Sequence, residues 1–200
     1  MTSSSPVLLP LLRSRVQGDL LALLYLHPER EYSLTEAARL IASSVKAVHT
    51  EASRLVAAGF VDDARLGNVR LIRAVTDAPF SRPLTDLLAV TYGPLPVLTD
   101  LLAEADGVMS AFIYGSWAAR YQGEPGTVPE DVDVLVVGTA DRDDLDEIAQ
   151  AAQRRLGRPV NIRRVRPAAW ASPDPDDAFL ASVRERPLVQ LHVRDQRASA

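Results

Sequence analysis

The run DVDVLVVG, Asp131 to Gly138, constrains the fold of this chain more than any other stretch. Beyond Asp133 it is wholly apolar, so it reads as a strand with at least one covered face. Side chains alternate across a strand, which puts Asp131 and Asp133 on one side, roughly 6.5 Å apart along the chain, in line with Leu135 and Val137. Two like charges at the margin of a covered face raise each other's pKa unless a cation joins them. A divalent metal ion is the natural guest, and the alternative is a strand end whose charges are simply solvated.

Composition narrows the class. With 200 residues and 47% hydrophobic content, the chain can build one domain or two small ones, each with a core. It has no cysteine, which removes disulfides and thiolate zinc sites, and His27, His49 and His192 are too scattered to form a ligand set. Apolar runs such as LLALLYL fall short of the ~20 residues needed to span a bilayer. The leucines near the start follow no basic segment, so no signal peptide is expected. The expectation is a soluble, cytoplasmic protein with no membrane partner.

The net charge of −4 disfavours polyanion binding by the molecule as a whole. Its distribution is uneven: residues 1–80 are close to neutral and the acid excess lies beyond them. Every basic residue except Lys46 is arginine, which suits phosphate and guanine recognition and is equally consistent with compositional bias.

The first part reads as a helix over Ser14–Leu26, stopped at His27-Pro28. Ser33 then stands three residues before Glu36 in a capping-box arrangement, and Leu34, Ala37, Ala38 and Ile41 fall on one helical face. After a short ASS turn, a further helix buries a stripe of Val45, Val48, Ala52, Leu55 and Val56, and shows Lys46, His49, Thr50, Ser53 and Arg54 on its other side. Past Gly59 the pattern becomes strand-like, with Gly67-Asn68 as the turn of a hairpin. The order helix, capped helix, turn, helix, hairpin resembles the ArsR- and MarR-type winged helix-turn-helix domains. That resemblance implies base reading by Ser44, Lys46, Ala47, His49 and Thr50 and phosphate contact by Arg54, Arg65, Asn68 and Arg70. Winged helices also serve as protein-binding modules, and Glu51, Asp62 and Asp63 stand against a polyanion.

Two leucine-rich helical patterns joined at Gly93-Pro94 follow, with Leu84, Leu87 and Leu88 in one and Leu95, Leu98, Leu101 and Leu102 in the other; they read as a segment that packs the domains or pairs two protomers. In the second half VMSAFIYG is a strand, Ser116 opens a short helix, Asp143–Leu156 is a longer helix, and Val160–Val165 is a strand; DDAFLASVRER and LVQLHV read as a last helix and strand. Gly115 allows close backbone approach to a phosphate, and Ser116 adds a hydroxyl. Trp117 and Trp170 read as packing residues.

A Gly-Ser turn followed by Asp-x-Asp at the head of the next strand resembles the minimal nucleotidyltransferase domains of the DNA polymerase beta-like class, over roughly residues 105–193. The resemblance implies that Gly115 and Ser116 grip a nucleoside triphosphate, with Asp131 and Asp133 holding Mg²⁺ for transfer to an acceptor. The family's third carboxylate aligns with Asn161, which can offer an oxygen but neither a negative charge nor a general base. Arg163 and Arg164 flank it as candidate phosphate ligands or a solvated strand end, and the loop YQGEPGTVPEDV is longer than in compact relatives.

The expectation is thus an α+β chain: a winged helix-turn-helix DNA-binding domain over 1–80, a helical linker or dimerisation segment over 81–104, a nucleotidyltransferase-like mixed sheet with flanking helices over 105–195, and a tail over 196–200. Three functions fit. One is a homodimeric transcriptional regulator that binds double-stranded DNA and carries a nucleotide- and Mg²⁺-binding domain. The second is an active nucleotidyltransferase moving AMP onto a toxin-like partner protein or a small molecule, with Asp131 and Asp133 catalytic and Asn161 in the nucleotide site. The third is a catalytically dead dimerisation or interaction scaffold.

Overall fold

The computed structural model describes residues 12–174 and 176–193. Residues 1–11, the end of the 105–195 stretch and the 196–200 tail lie outside them. The chain is mixed α+β, with two small sheets in two compact units that divide between Gly93 and Pro94. This boundary falls inside the 81–104 segment, giving one of its helices to each unit. Among the described residues, no helix is long and apolar enough to cross a membrane.

The first unit is built around α1 (Arg15–Tyr25), which starts at Ser14, whose hydroxyl accepts from the Gln17 amide at 3.2 Å. Leu20, Leu24 and Tyr25 on α1 are fully buried, each worth about 1.5–3 kcal/mol of transfer energy for a side chain of this size. A two-residue strand β1 (Tyr32–Ser33) follows, and Ser33 also caps α2 (Leu34–Leu40), accepting from the Glu36 amide at 3.1 Å. The Glu36 carboxylate lies 3.7 Å from Arg30.

α2 ends in a tight reversal: Ser43 N donates to Ala38 O at 2.8 Å and Ala42 N to Arg39 O, with Ala42 at φ 50°, where glycine is usual. α3 (Val45–Ala57) then starts from Ser44, which accepts from Ala47 N. β2 (Val61–Leu66) and β3 (Val69–Ala74) form an antiparallel hairpin through Gly67 (φ 60°) and Asn68, and β1 adds to β3, for the order β1-β3-β2. α4 (Ser81–Tyr92) returns along α1, so closely that a Cβ on Gly18 would stand 2.0 Å from the Tyr92 hydroxyl. The stripe expected on α3 needs one correction. Val48, Ala52 and Leu55 are buried, but Val45 is 45% exposed; it is the first helical residue, where the axis has only begun to approach the core. A charged residue, Glu51, is buried on this helix as well, 6% exposed.

The second unit opens with α5 (Pro94–Leu102) and continues β4 (Val108–Tyr114), α6 (Gly115–Tyr121), β5 (Val132–Gly138), α7 (Arg142–Leu156), β6 (Val160–Val165), α8 (Pro167–Ala171), α9 (Ala178–Arg184) and β7 (Val189–Leu191). Its sheet has the order β6-β5-β4-β7, with β5 and β6 parallel and the other pairs antiparallel. A parallel pair needs a crossover, and α7 supplies it. Acids at its start (Asp143, Asp144) and arginines at its end (Arg154, Arg155) complement the helix dipole, and Gly157 at φ 67° ends it.

β5 is central, and every residue of it except Asp133 is buried. On one face Leu135 and Val137 pack with Val165 of β6 and with Leu180 and Val183 of α9, with Trp170 of α8 and Phe112 at the edge of this cluster. That cover fixes where the site can open.

Candidate functional site

The cluster on this face ends at Tyr114 and Phe179, and polar residues begin there. In the ladder Asp133 stands opposite Tyr114 of β4 and opposite Asn161 of β6, so three polar side chains form a row across the sheet. Asp131 sits one pleat above. The sheet therefore brings together the two aspartates and the asparagine that the sequence places 28 and 30 residues apart.

Asn161 joins the acids. Its amide nitrogen donates to Asp131 Oδ2 at 3.1 Å and to Asp133 Oδ1 at 3.2 Å. The –NH₂ group thus stands where a cation would reconcile the two carboxylates. The oxygen and nitrogen of an amide are interchanged by a half-turn about χ2, which presents Oδ1 in the same place.

Asp133 has its pKa raised above the ordinary 3.8, chiefly because burial disfavours its charge; the Asn161 hydrogen bond opposes this and the Asp131 charge adds to it. Tyr114 is likewise raised, first by burial and then by the Asp133 charge, with Arg163 acting the other way.

Gly115 follows β4 with φ 69°, a left-handed backbone that glycine adopts freely. A Cβ there would lie 2.9 Å from Asp133 Oδ2, so the turn and the carboxylate share one space. Ser116 is exposed beside it. Sequence reasoning missed Tyr114; its place immediately before Gly115, in register with Asp133, was the available signal. Arg163, on the same face as Asn161, lays its guanidinium over the Phe179 ring with Cζ 3.5 Å from the centroid, and Phe179 meets the Tyr114 ring edge-on at 5.8 Å. Arg164 points the other way and donates to the Ala140 carbonyl. The long loop is tied down at its end, where buried Arg158 donates to the Pro129 carbonyl and stacks over Trp117. Trp117 is buried and Trp170 packs on Phe112 with ring centroids 5.4 Å apart.

With the Asn161 amide turned about χ2, the donor set is all oxygen: two carboxylates and one amide carbonyl. Hard cations choose such ligands, and Mg²⁺ commonly takes only one or two carboxylates from the protein and completes its shell with water and substrate phosphates. Among the described residues no group of three or more His, Cys, Asp or Glu side chains converges on a metal position, so phosphate oxygens would have to supply what the chain does not.

In the first unit, Ser44, Lys46, His49 and Thr50 are exposed along α3 and Ala47 is half-buried. Thr50 turns its hydroxyl back to the Lys46 carbonyl at 3.0 Å. Glu51 faces inward, accepting from Ser14 Oγ at 3.4 Å and from Arg54 at 3.0 Å, with its other oxygen buried and unpartnered among the described residues. Arg65 and Asn68 are exposed on the hairpin. Arg70 is engaged, donating to Asp63 at 2.6 Å and to Ser53 of α3 at 2.9 Å; it reaches a phosphate only by giving those bonds up.

Compared with known proteins, the chain matches no protein-family model and no curated protein.

Proposed function

We propose that the chain is a DNA-binding transcriptional regulator in which a winged helix-turn-helix domain is joined to a nucleotidyltransferase-like domain that binds a nucleoside triphosphate with Mg²⁺. The observation that carries the second half is Asn161, held in register with Asp133 and bonded to both carboxylates beside the Gly115 turn. Asp131 and Asp133 hold the ion through oxygen, Asn161 turns its amide to add Oδ1, and Gly115 and Ser116 lie against the phosphates. When bound, the ion neutralises the phosphate charge that two bare carboxylates would repel.

Binding without transfer is favoured by the same residue. An uncharged amide cannot take a proton from an attacking hydroxyl, and it leaves the site one negative charge short of holding a second cation. Asp133, which accepts from Asn161 through Oδ1, is in this reading a ligand of the ion, and a carboxylate engaged by a cation is a poorer proton acceptor.

The first half is supported by the exposed face of α3 with Lys46, His49 and Thr50, by the inward turn of Glu51, which removes its carboxylate from that face, and by Arg65 and Asn68 on the hairpin. Two copies reading two half-sites is the arrangement such domains favour on DNA. Fluorescence anisotropy with a duplex from the chain's own upstream region tests the whole. The expected result is a salt-sensitive, sequence-dependent complex, weakened in Lys46→Ala and shifted in affinity by triphosphate with Mg²⁺. A complex that forms on no sequence refutes the regulator, and one indifferent to nucleotide refutes the sensing. Labelled nucleotide appearing on an acceptor would overturn binding without transfer.

A further inference from the structure

The hairpin of the first unit ends in an apolar pair at its most solvated point. Leu66 and Val69 face each other across the two-residue turn and are 72% and 47% exposed. Leu66 is the most exposed large apolar side chain among the described residues. Ala64 and Leu71 continue the same face behind them, so an apolar stripe runs back from the tip, and the opposite face at the tip carries Arg65 against Arg70.

The ribbon is also braced. Arg70, only 19% exposed in its side chain, spans from Asp63 on the neighbouring strand to Ser53 on α3. Its charge is taken up by Asp63, leaving Arg65 as the cation of the tip, and Asp62 pairs with Arg73 further back along the ribbon at 3.5 Å. The hairpin is thus tied to the exposed helix through Arg70, and its tip carries an exposed apolar point and one exposed cation.

We infer that Leu66, backed by Val69, is a wedge that enters the DNA minor groove at a deformable base step while Arg65 meets the adjoining phosphate, and that Arg70 is a strut that sets the hairpin's angle to α3. The inference rests on the regulator reading above. Apolar side chains at the tip of a DNA-facing element act by partial unstacking of a base step. Pyrimidine–purine steps unstack most easily, so TA and CA/TG are the steps selected, at positions where no base edge is read. Charge decides between DNA and a second copy of the chain: tip-to-tip pairing would set the arginines of both copies against each other, whereas a polyanion satisfies them.

The test uses a duplex of about 25 base pairs with 2-aminopurine at a central TA step, read by fluorescence and anisotropy at low salt. Parent protein should bind and raise the 2-aminopurine signal. Leu66→Ser, a change at an exposed position whose fold is checked by circular dichroism, should bind at least about tenfold more weakly, lose the signal, and keep the parent's slope of log affinity against log salt because no charge is removed. Arg65→Ala should lower that slope by about 1. Arg70→Lys, which keeps the charge but not the fork, should weaken binding at an unchanged slope; full affinity in Arg70→Lys would overturn the strut. Parent binding without a fluorescence rise, or Leu66→Ser behaving as the parent does, overturns the wedge alone. Dissociation of a parent dimer by Leu66→Ser, with DNA binding intact, overturns it in favour of a contact between copies. A parent that binds no duplex sinks the regulator reading and the wedge with it.

Discussion

Gly115→Ala probes the geometry of the site without touching a charge. Two costs add. At φ 69° an L-residue sits in the left-handed region, which costs about 1–2 kcal/mol. The new methyl would also stand 2.9 Å from Asp133 Oδ2, inside ordinary contact, and forcing a side chain out of a packed position costs typically about 1–3 kcal/mol. The sum is about 2–5 kcal/mol. Gly123→Ala separates the two terms, because Gly123 has φ 88° and nothing within 4 Å of its Cβ position; it should show the backbone cost alone. Both tryptophans of the chain, Trp117 and Trp170, belong to the second unit, so denaturant unfolding followed by tryptophan emission reads the unit that holds the site. In an Asp133→Ala background the cost of Gly115→Ala should fall to that of Gly123→Ala. If Gly115→Ala costs no more than Gly123→Ala in the parent background, the carboxylate does not lie against the turn and the geometry described for the site is wrong.

Other outcomes follow from single residues. Ala42→Gly should stabilise the first unit by about 1 kcal/mol, since Ala42 holds a left-handed φ of 50° in the reversal after α2; hydrogen exchange in α2 and α3 measures it, and no gain would mean the strain is absent. Burial pushes the Tyr25 hydroxyl up to about 12 from an ordinary 10.0. Its contribution to stability is therefore present below pH 10 and is lost as pH rises toward about 12. Tyr25→Phe should flatten that alkaline loss and cost about 1 kcal/mol at neutral pH through the missing 2.7 Å bond to the Phe60 carbonyl; an unchanged alkaline profile would contradict it. Asp133, also raised, contributes stability to the ligand-free unit that is present below 3.8 and lost as pH rises through its shifted value. Mg²⁺ competes with that proton, so its affinity should climb across the same window and level off above it, and a calorimetric titration flat through the window would argue against Asp133 as a ligand.

The elements legible in the sequence were those with strong periods or chemical punctuation. Ser33 caps the helix it was read to cap, and Gly67-Asn68 turns the hairpin it was read to turn, whereas the caps by Ser14 and Ser44 emerge only in the structure. The alternation in DVDVLVVG places Asp131 and Asp133 beside Asn161 because a parallel neighbour in the ladder sets Asp133 opposite Asn161. Other features could not be read. β1 has two residues, too few to show a period, and exists because β3 offers it a partner. α8, with five residues, is likewise below the length at which apolar spacing speaks. LVQLHV supplies only Val189–Leu191 as strand, since pairing to β4 stops there. The inward turn of Glu51 was hidden because an acid reads as solvated until Ser14 and Arg54, 37 residues apart from one side and three from the other, are seen to meet it.

The central claim is that the paired acids hold a divalent ion together with a triphosphate. Isothermal titration of a nucleoside triphosphate into the protein, with Mg²⁺ and again with excess EDTA, tests it most directly, alongside the Asp131→Ala/Asp133→Ala variant. Saturable binding that requires Mg²⁺ and vanishes in the variant is the predicted result. Binding of equal strength in all three titrations, or none in any, would contradict it.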